Sequence, residues 1–167
     1  DGVRPFRLRD GSVVRLDNAL LIAILDRLAR AWPQPLGAGA LADAVAADLA
    51  GIAMPPGASA GAAVREGVLV GYGWGWWQLL ARAPAAALVP GERPRALALA
   101  RLVARDASSV TNLLHSPVDL DAMQRSVILR LDGIATIDEI ALALGIPRDA
   151  VAATVQSLAA AWLLADG

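Results

Sequence analysis

Apolar residues recur along this chain with two different spacings, and the switches between them mark its elements. Residues Val3 to Leu16 alternate apolar and polar about Asp10-Gly11. That dipeptide tolerates positive φ, so Phe6 to Arg9 and Ser12 to Arg15 are predicted to pair as a short hairpin. From Leu20 the period lengthens to that of a helix, with Leu20, Leu21, Ile24, Leu25, Leu28 and Trp32 on one face. Asp17 or Asn18 supplies its cap, and Pro33 and Pro35 stop it. A second helix, about Gly39 to Leu49, presents Leu41, Val45 and Leu49. A loop with Pro55, Pro56 and Gly57 leads to a third helix over roughly Ser59 to Tyr72, despite the cost of its glycines. Trp74 to Arg82 reads as a strand.

Much the same order then recurs. Val118-Asp-Leu-Asp121 matches Val14-Arg-Leu-Asp17, a helix with Val127, Ile128 and Leu131 matches the one with Ile24, Leu25 and Leu28, and Ile140 to Leu144 matches Leu41 to Val45. The offset of about one hundred residues marks an internal repeat. Thr136-Ile-Asp-Glu139 is a capping box, Gly145 suits a left-handed helix end, and Pro147 suits the first turn of the next helix. Val151, Val155, Leu158 and Trp162 line one face of that helix. From Glu139 to Val151 the spacing is that of a helix-turn-helix unit, in which small Ala141 and Gly145 allow close helix approach. The expected fold class is mainly α with short β-hairpins, an α+β arrangement of two tandem winged-helix-like modules. Residues 1–83 form the first and 110–167 the second. Residues 84–109 form a connector, rich in proline between Pro84 and Pro94, with a short helix from Ala96 to Asp106.

Composition narrows the chemistry. Apolar residues make up 56% of the 167, but aromatic ones only 4%, so much of the core-forming material is alanine and the helices must pack closely. There is no cysteine and a single histidine, which excludes disulfide frameworks, thiolate nucleophiles and most protein metal sites. The net charge is −1, and residues 106–167 hold three arginines (Arg125, Arg130, Arg148) against eight acids. That half repels nucleic acid, and its reading helix would offer only Arg148, Thr154, Gln156 and Ser157 beside Asp149. The longest apolar run, Val68 to Leu80, is interrupted by Gly71, Gly73, Gly75 and Gln78, so a soluble, cytoplasmic protein with no membrane partner is expected. The chain opens with Asp1-Gly-Val rather than methionine, the expectation being a piece of something longer.

Taken together, Glu92-Arg-Pro-Arg95, Arg101, Val110-Thr-Asn-Leu113 with His115, Val118-Asp-Leu-Asp121 and Leu131-Asp-Gly133 resemble one known region. It is the C-terminal part, usually called the methyltransferase regulatory domain, of bacterial class I S-adenosylmethionine-dependent methyltransferases, protein-lysine methyltransferases among them. The first module is similar to the region just before it, in its hairpin, helix and Ala31-Trp-Pro33 turn. The likeness spans most of residues 6–164. It implies that methyl transfer belongs to an N-terminal Rossmann-like domain with a Gly-rich loop and an acidic residue for the ribose, neither of which occurs here. Gly71-Tyr-Gly-Trp-Gly75 has closely spaced glycines, yet bulky aromatics interleave them and a strand rather than a helix N-terminus is expected to follow. The resemblance thus implies a non-catalytic accessory or regulatory region without a cofactor. Its partners would be a catalytic methyltransferase domain, in cis or in trans, and a protein or peptide substrate.

Six residues stand out as candidate partner-binding positions, each with a plainer reading beside it. Trp76 and Trp77 would point to opposite faces of a strand, one into a core and the other free to meet a partner. Arg93, Arg95 and Arg101, with Arg105, concentrate positive charge against Glu92 and Asp106. They serve either as solvated or ion-paired surface or as a site for an acidic group. His115 could titrate if Asp119 or Asp121 oriented it, but no nucleophile is evident, and with Asn112 it fits equally a connector bound to its own backbone. A free-standing peptide-binding module is the alternative function. Leu131-Asp-Gly-Ile-Ala-Thr-Ile-Asp-Glu-Ile140 also resembles the peptide chaperone of pyrroloquinoline quinone synthesis and related precursor-peptide recognition domains, which add a leader as an edge strand. A DNA-binding regulator is the third reading, disfavoured by charge.

Overall fold

In a computed structural model, residues 2–8, 11–50 and 59–165 are described. The chain divides into two compact units, Asp1–Arg82 and Ala83–Gly167. In the first, β1 (Arg4–Arg7) and β2 (Val13–Leu16) pair antiparallel with Phe6 opposite Val14. The predicted hairpin is present; Arg9 and Asp10, assigned to its strand end and turn, lie outside the described residues, as does the loop with Pro55, Pro56 and Gly57. Three helices follow: α1 (Ala19–Ala31), α2 (Ala38–Asp48) and α3 (Ala60–Gly73). Asn18, not Asp17, caps α1, its side-chain oxygen accepting from Leu21 N at 3.1 Å. Trp32 is the C-cap of α1 rather than part of its buried face, and is half-exposed.

The core of the first unit is small. Ala23, Ile24, Leu41, Val45, Leu49 and Val64 are buried, with Leu20, Leu28, Ala42, Val68 and Trp77 packed around them. A Cβ at Gly67 would lie 2.8 Å from Ile24 Cδ1, so this glycine lets α3 approach α1. Two forked ion pairs tie the elements at the surface: Arg4 to Asp26 (2.5 and 3.1 Å), and Arg27 to Asp48 (2.6 and 2.5 Å). The Arg27 hydrogen bond holds the Asp48 carboxyl below its ordinary value.

The second unit comprises α4 (Ala98–Val103), β3 (Ser109–Thr111), β4 (Pro117–Asp119), α5 (Ala122–Ile128), α6 (Ile137–Leu144) and α7 (Arg148–Ala160). β3 and β4 pair antiparallel with Val110 opposite Val118. A hairpin followed by three helices is thus found in both units, and Leu16 and Leu120, which the sequence repeat aligns, are both buried. The fold class is mainly α with two short hairpins. The stretch read as a connector contributes to the second unit's core through Ala96, Ala100 and Ala104. Single bridges pair Ala86 with Ala165, Ala96 with Leu164 and Arg95 with Asp132, so this stretch lies against the segment after α7 and the loop after α5.

Both predicted ends of α6 are present. Thr136 and Glu139 form the reciprocal capping box, and Gly145 has φ +68°. One expectation about Gly145 is corrected: a Cβ there would meet nothing within 4 Å, so the residue serves backbone conformation and not close helix approach. A second box, Asp121 with Gln124, starts α5 and was not read from the sequence.

Candidate functional site

The largest departure from the sequence reading lies at Trp74 to Arg82, where no strand forms. The chain instead reverses. Gly75, at φ +74°, donates to Tyr72 O (3.0 Å) and Trp76 N donates to Gly71 O (2.9 Å), the paired bonds of a Schellman turn at the end of α3. The reversal carries Trp77 back along the helix, where its indole N–H donates to Val68 O at 2.9 Å. A Cβ at Gly71 would stand 2.0 Å from the Trp77 ring, so only glycine leaves room for the indole. Trp76 and Trp77 are thus not on opposite faces of a strand. Trp77 packs on the first unit's core, Trp76 is partly buried between Trp74 and Trp77, and Trp74 is 69% exposed. The Gly71 to Gly75 run sits at a helix C-terminus, whereas a phosphate-cradling loop opens onto a helix N-terminus.

In the second unit the structure brings Arg93, Arg95 and Arg101 to one place, the loop from Leu129 to Ala135. Arg93 donates to Ile134 O and lies 3.8 Å from Glu139. The aliphatic stem of Arg95 covers Gly133, which has φ +84° and whose added Cβ would meet Arg95 Cβ at 3.3 Å. Arg101 Nη2 reaches Leu129 O at 3.4 Å, and its Nε is buried without a hydrogen-bond partner. Backbone bonds from Gly133 N to Pro94 O (3.2 Å) and from Ala96 N to Leu131 O (2.9 Å) complete the clamp. The Asp132 carboxyl inside this loop is held below its ordinary value, first by the Ile134 N–H, then by the Ala135 N–H, with a smaller contribution from Arg101. The cluster's polar contacts go mainly to the chain's own carbonyls.

His115 occupies the turn between β3 and β4, exposed and at φ +55°, with its backbone N–H on Asn112 O at 3.0 Å. Asn112 is the anchor. Only 3% exposed, it donates to Ala161 O (3.0 Å) and accepts from Leu114 N (2.9 Å) and Ser116 N (3.0 Å). Asp121, a candidate orienter of the histidine, instead accepts from Gln124 N at 2.7 Å. The segment that Asn112 grips contains a residue sequence reasoning placed on a helix face. Trp162 lies beyond α7 at φ +63°, 2% exposed, with its indole nitrogen buried and unpartnered. The Trp162 backbone N–H donates to Ala159 O and that of Leu163 to Leu158 O, so Trp162 fills the left-handed position of a Schellman turn that normally takes glycine. Burial of Leu158 and Leu163 on either side fixes the turn.

On the helix-turn-helix pair, Arg148 Nε is 2.9 Å from Asp138 and its Nη1 is 3.9 Å from Asp149. The reading helix α7 exposes Asp149, Ala153, Gln156 and Ser157 beside it. On α6, Leu142 is 85% exposed. Among the described residues no group of three or more His, Asp or Glu could hold a metal ion, and no helix is long and apolar enough to cross a membrane.

Residues 92–156 match the family described as PKMT, C-terminal winged helix domain, PKMT denoting a protein-lysine methyltransferase. The match lies wholly within the second unit, which thus resembles a PKMT C-terminal winged helix domain. The match takes in Arg93, Arg95, Arg101 and His115, while Trp76 and Trp77 lie outside it. Two solved structures of PKMT2 from Rickettsia typhi extend the likeness of fold across both units. One shares 16% identity at a TM-score of 0.68 over 92% of this chain. The other, in complex with AdoHcy, shares 16% identity at a TM-score of 0.66 over 98% of it. The chain spans 36% and 41% of the length of those two chains. No curated protein matches.

Proposed function

We propose that this chain is the C-terminal accessory part of a protein-lysine methyltransferase. It performs no methyl transfer itself, and holds the protein substrate or the catalytic domain in position. The observation that carries the reading is the coincidence of residues 92–156 with the PKMT C-terminal winged helix family. Other features support it. The glycine run caps the wrong end of a helix for a nucleotide, and the single histidine is a turn residue toward which, among the described residues, no acid is oriented by a hydrogen bond. Ion pairing of Arg148 with Asp138 leaves α7 little positive charge to offer a phosphate backbone, which favours a protein partner over nucleic acid. The three-residue strands β3 and β4 offer a short edge for strand addition, which ranks peptide capture second.

Calorimetric titration with S-adenosylmethionine tests the non-catalytic part. No binding heat is expected, and micromolar affinity would overturn the reading. The coding sequence upstream of Asp1 tests the accessory part. A Rossmann-type domain with a glycine-rich loop after its first strand is expected there, and an initiator methionine immediately before Asp1 would contradict it.

A further inference from the structure

The turn that ends α3 presents aromatic faces to solvent: Tyr72 is 52% exposed and Trp74 69%. Trp76 stands nearly perpendicular to both of its neighbours, its ring centroid 5.0 Å from Trp74 at 76° and 6.0 Å from Trp77 at 70°. The two indoles meet edge to face and Trp74 keeps most of its surface free, so a group resting against Trp74 sits beside Trp76 as well. Aromatic faces carry the negative end of the aromatic quadrupole and attract a cation within about 6 Å. The backbone adds to this attraction. The turn is a helix C-terminus, the negative end of the α3 dipole, and the last turn of α3 contains no basic side chain to neutralise it. Aromatic faces and helix end are independent features of the same few residues, and both favour positive charge.

We propose that the Tyr72 to Trp77 turn binds a methylated lysine side chain of a protein, its ammonium group seated against Trp74 and Trp76. Methylation keeps the lysine charge while removing N–H donors. Trimethyl-lysine, charged but with no N–H left to satisfy, is therefore the ammonium best matched to a surface made mainly of π faces. The proposal rests on the accessory reading for the source of that ligand. Such a site would retain a substrate that already carries the modification while further lysines are methylated.

The test is a titration of the ¹⁵N-labelled chain with a short peptide containing trimethyl-lysine, followed at the indole N–H signals of its five tryptophans. Trp74 and Trp76 should shift and saturate while buried Trp162 stays still. Affinity should fall from trimethyl- to dimethyl- to unmodified lysine. A peptide bearing the uncharged carbon isostere of trimethyl-lysine should bind at least about threefold more weakly, as a cation–π contribution requires. Trp74→Ala should remove at least about threefold of the affinity, and Trp74→Phe should keep part of it. An unchanged Trp77 signal in both variants would show that the turn is intact. Equal binding of the isostere, equal binding of unmodified lysine, or unmoved Trp74 and Trp76 signals would each overturn the proposal. None of these outcomes bears on S-adenosylmethionine binding or on the upstream coding sequence, so failure here is distinguishable from failure of the accessory reading.

Discussion

The two units repeat one order of elements, a hairpin and then three helices, yet they bury very different cores. Among the described residues, six form the buried cluster of the first unit, whereas sixteen form that of the second. Side-chain size explains much of the gap. Helices α2 and α3 are built largely from Ala and Gly, which remove little apolar area from water, while α5, the following turn and α6 supply Val127, Ile128, Leu131 and Ile140. The first unit also leaves Leu69, Tyr72, Trp74, Leu79 and Leu80 exposed. One architecture thus serves as a well-filled domain in one copy and as a thinner scaffold in the other, and both leave apolar side chains exposed. Exposed apolar surface of this kind is characteristic of contact sites.

The contrast predicts where each unit breaks. Leu131→Ala deletes a fully buried side chain from the larger core and should cost about 3 kcal/mol in urea unfolding of the second unit. A loss well below 1 kcal/mol would mean that the core is looser than its packing indicates. Gly71→Ala should destabilise the first unit by about 2 kcal/mol, because the new methyl and the Trp77 ring cannot share the site. Trp77 emission should shift to the red as the indole leaves its seat. The smallest effect is the pH dependence. Asp132 and Glu139 have folded pKa values below their ordinary ones, through backbone N–H donation in both and the Thr136 hydroxyl in the second. A carboxyl depressed by folding stabilises the fold above its unfolded pKa, and that contribution is lost as pH falls through the folded value. The second unit's midpoint in urea should therefore hold steady from neutrality down to about pH 5 and decline below about pH 4. A midpoint rising on acidification would contradict the assigned hydrogen bonds.

Local signals carried much of the fold. Thr136 and Glu139 lie three positions apart, Gly145 follows one helix and Pro147 precedes the next, and each acts where its chemistry is needed. What escaped the sequence depends on groups that meet only in three dimensions. The tryptophan-rich segment alternates like a strand, but the indole seat at Gly71 and the left-handed Gly75 turn it back on its own helix. Trp162 occupies a conformation that glycine usually fills, because the buried residues flanking it dictate the turn. Arg93 finds its carbonyl 41 residues away, a contact that no local spacing could show. The sequence around His115 does not separate a turn residue from a catalytic one, whereas the burial of Asn112 in the same turn decides what holds the segment.

The most direct measurement of the proposed accessory role is methyl transfer to a protein substrate by the parent methyltransferase that the proposal requires, with and without this region, alongside its affinity for S-adenosylmethionine. The account predicts that removing the region lowers kcat/KM for the protein substrate and leaves S-adenosylmethionine affinity unchanged. An undiminished kcat/KM would contradict it.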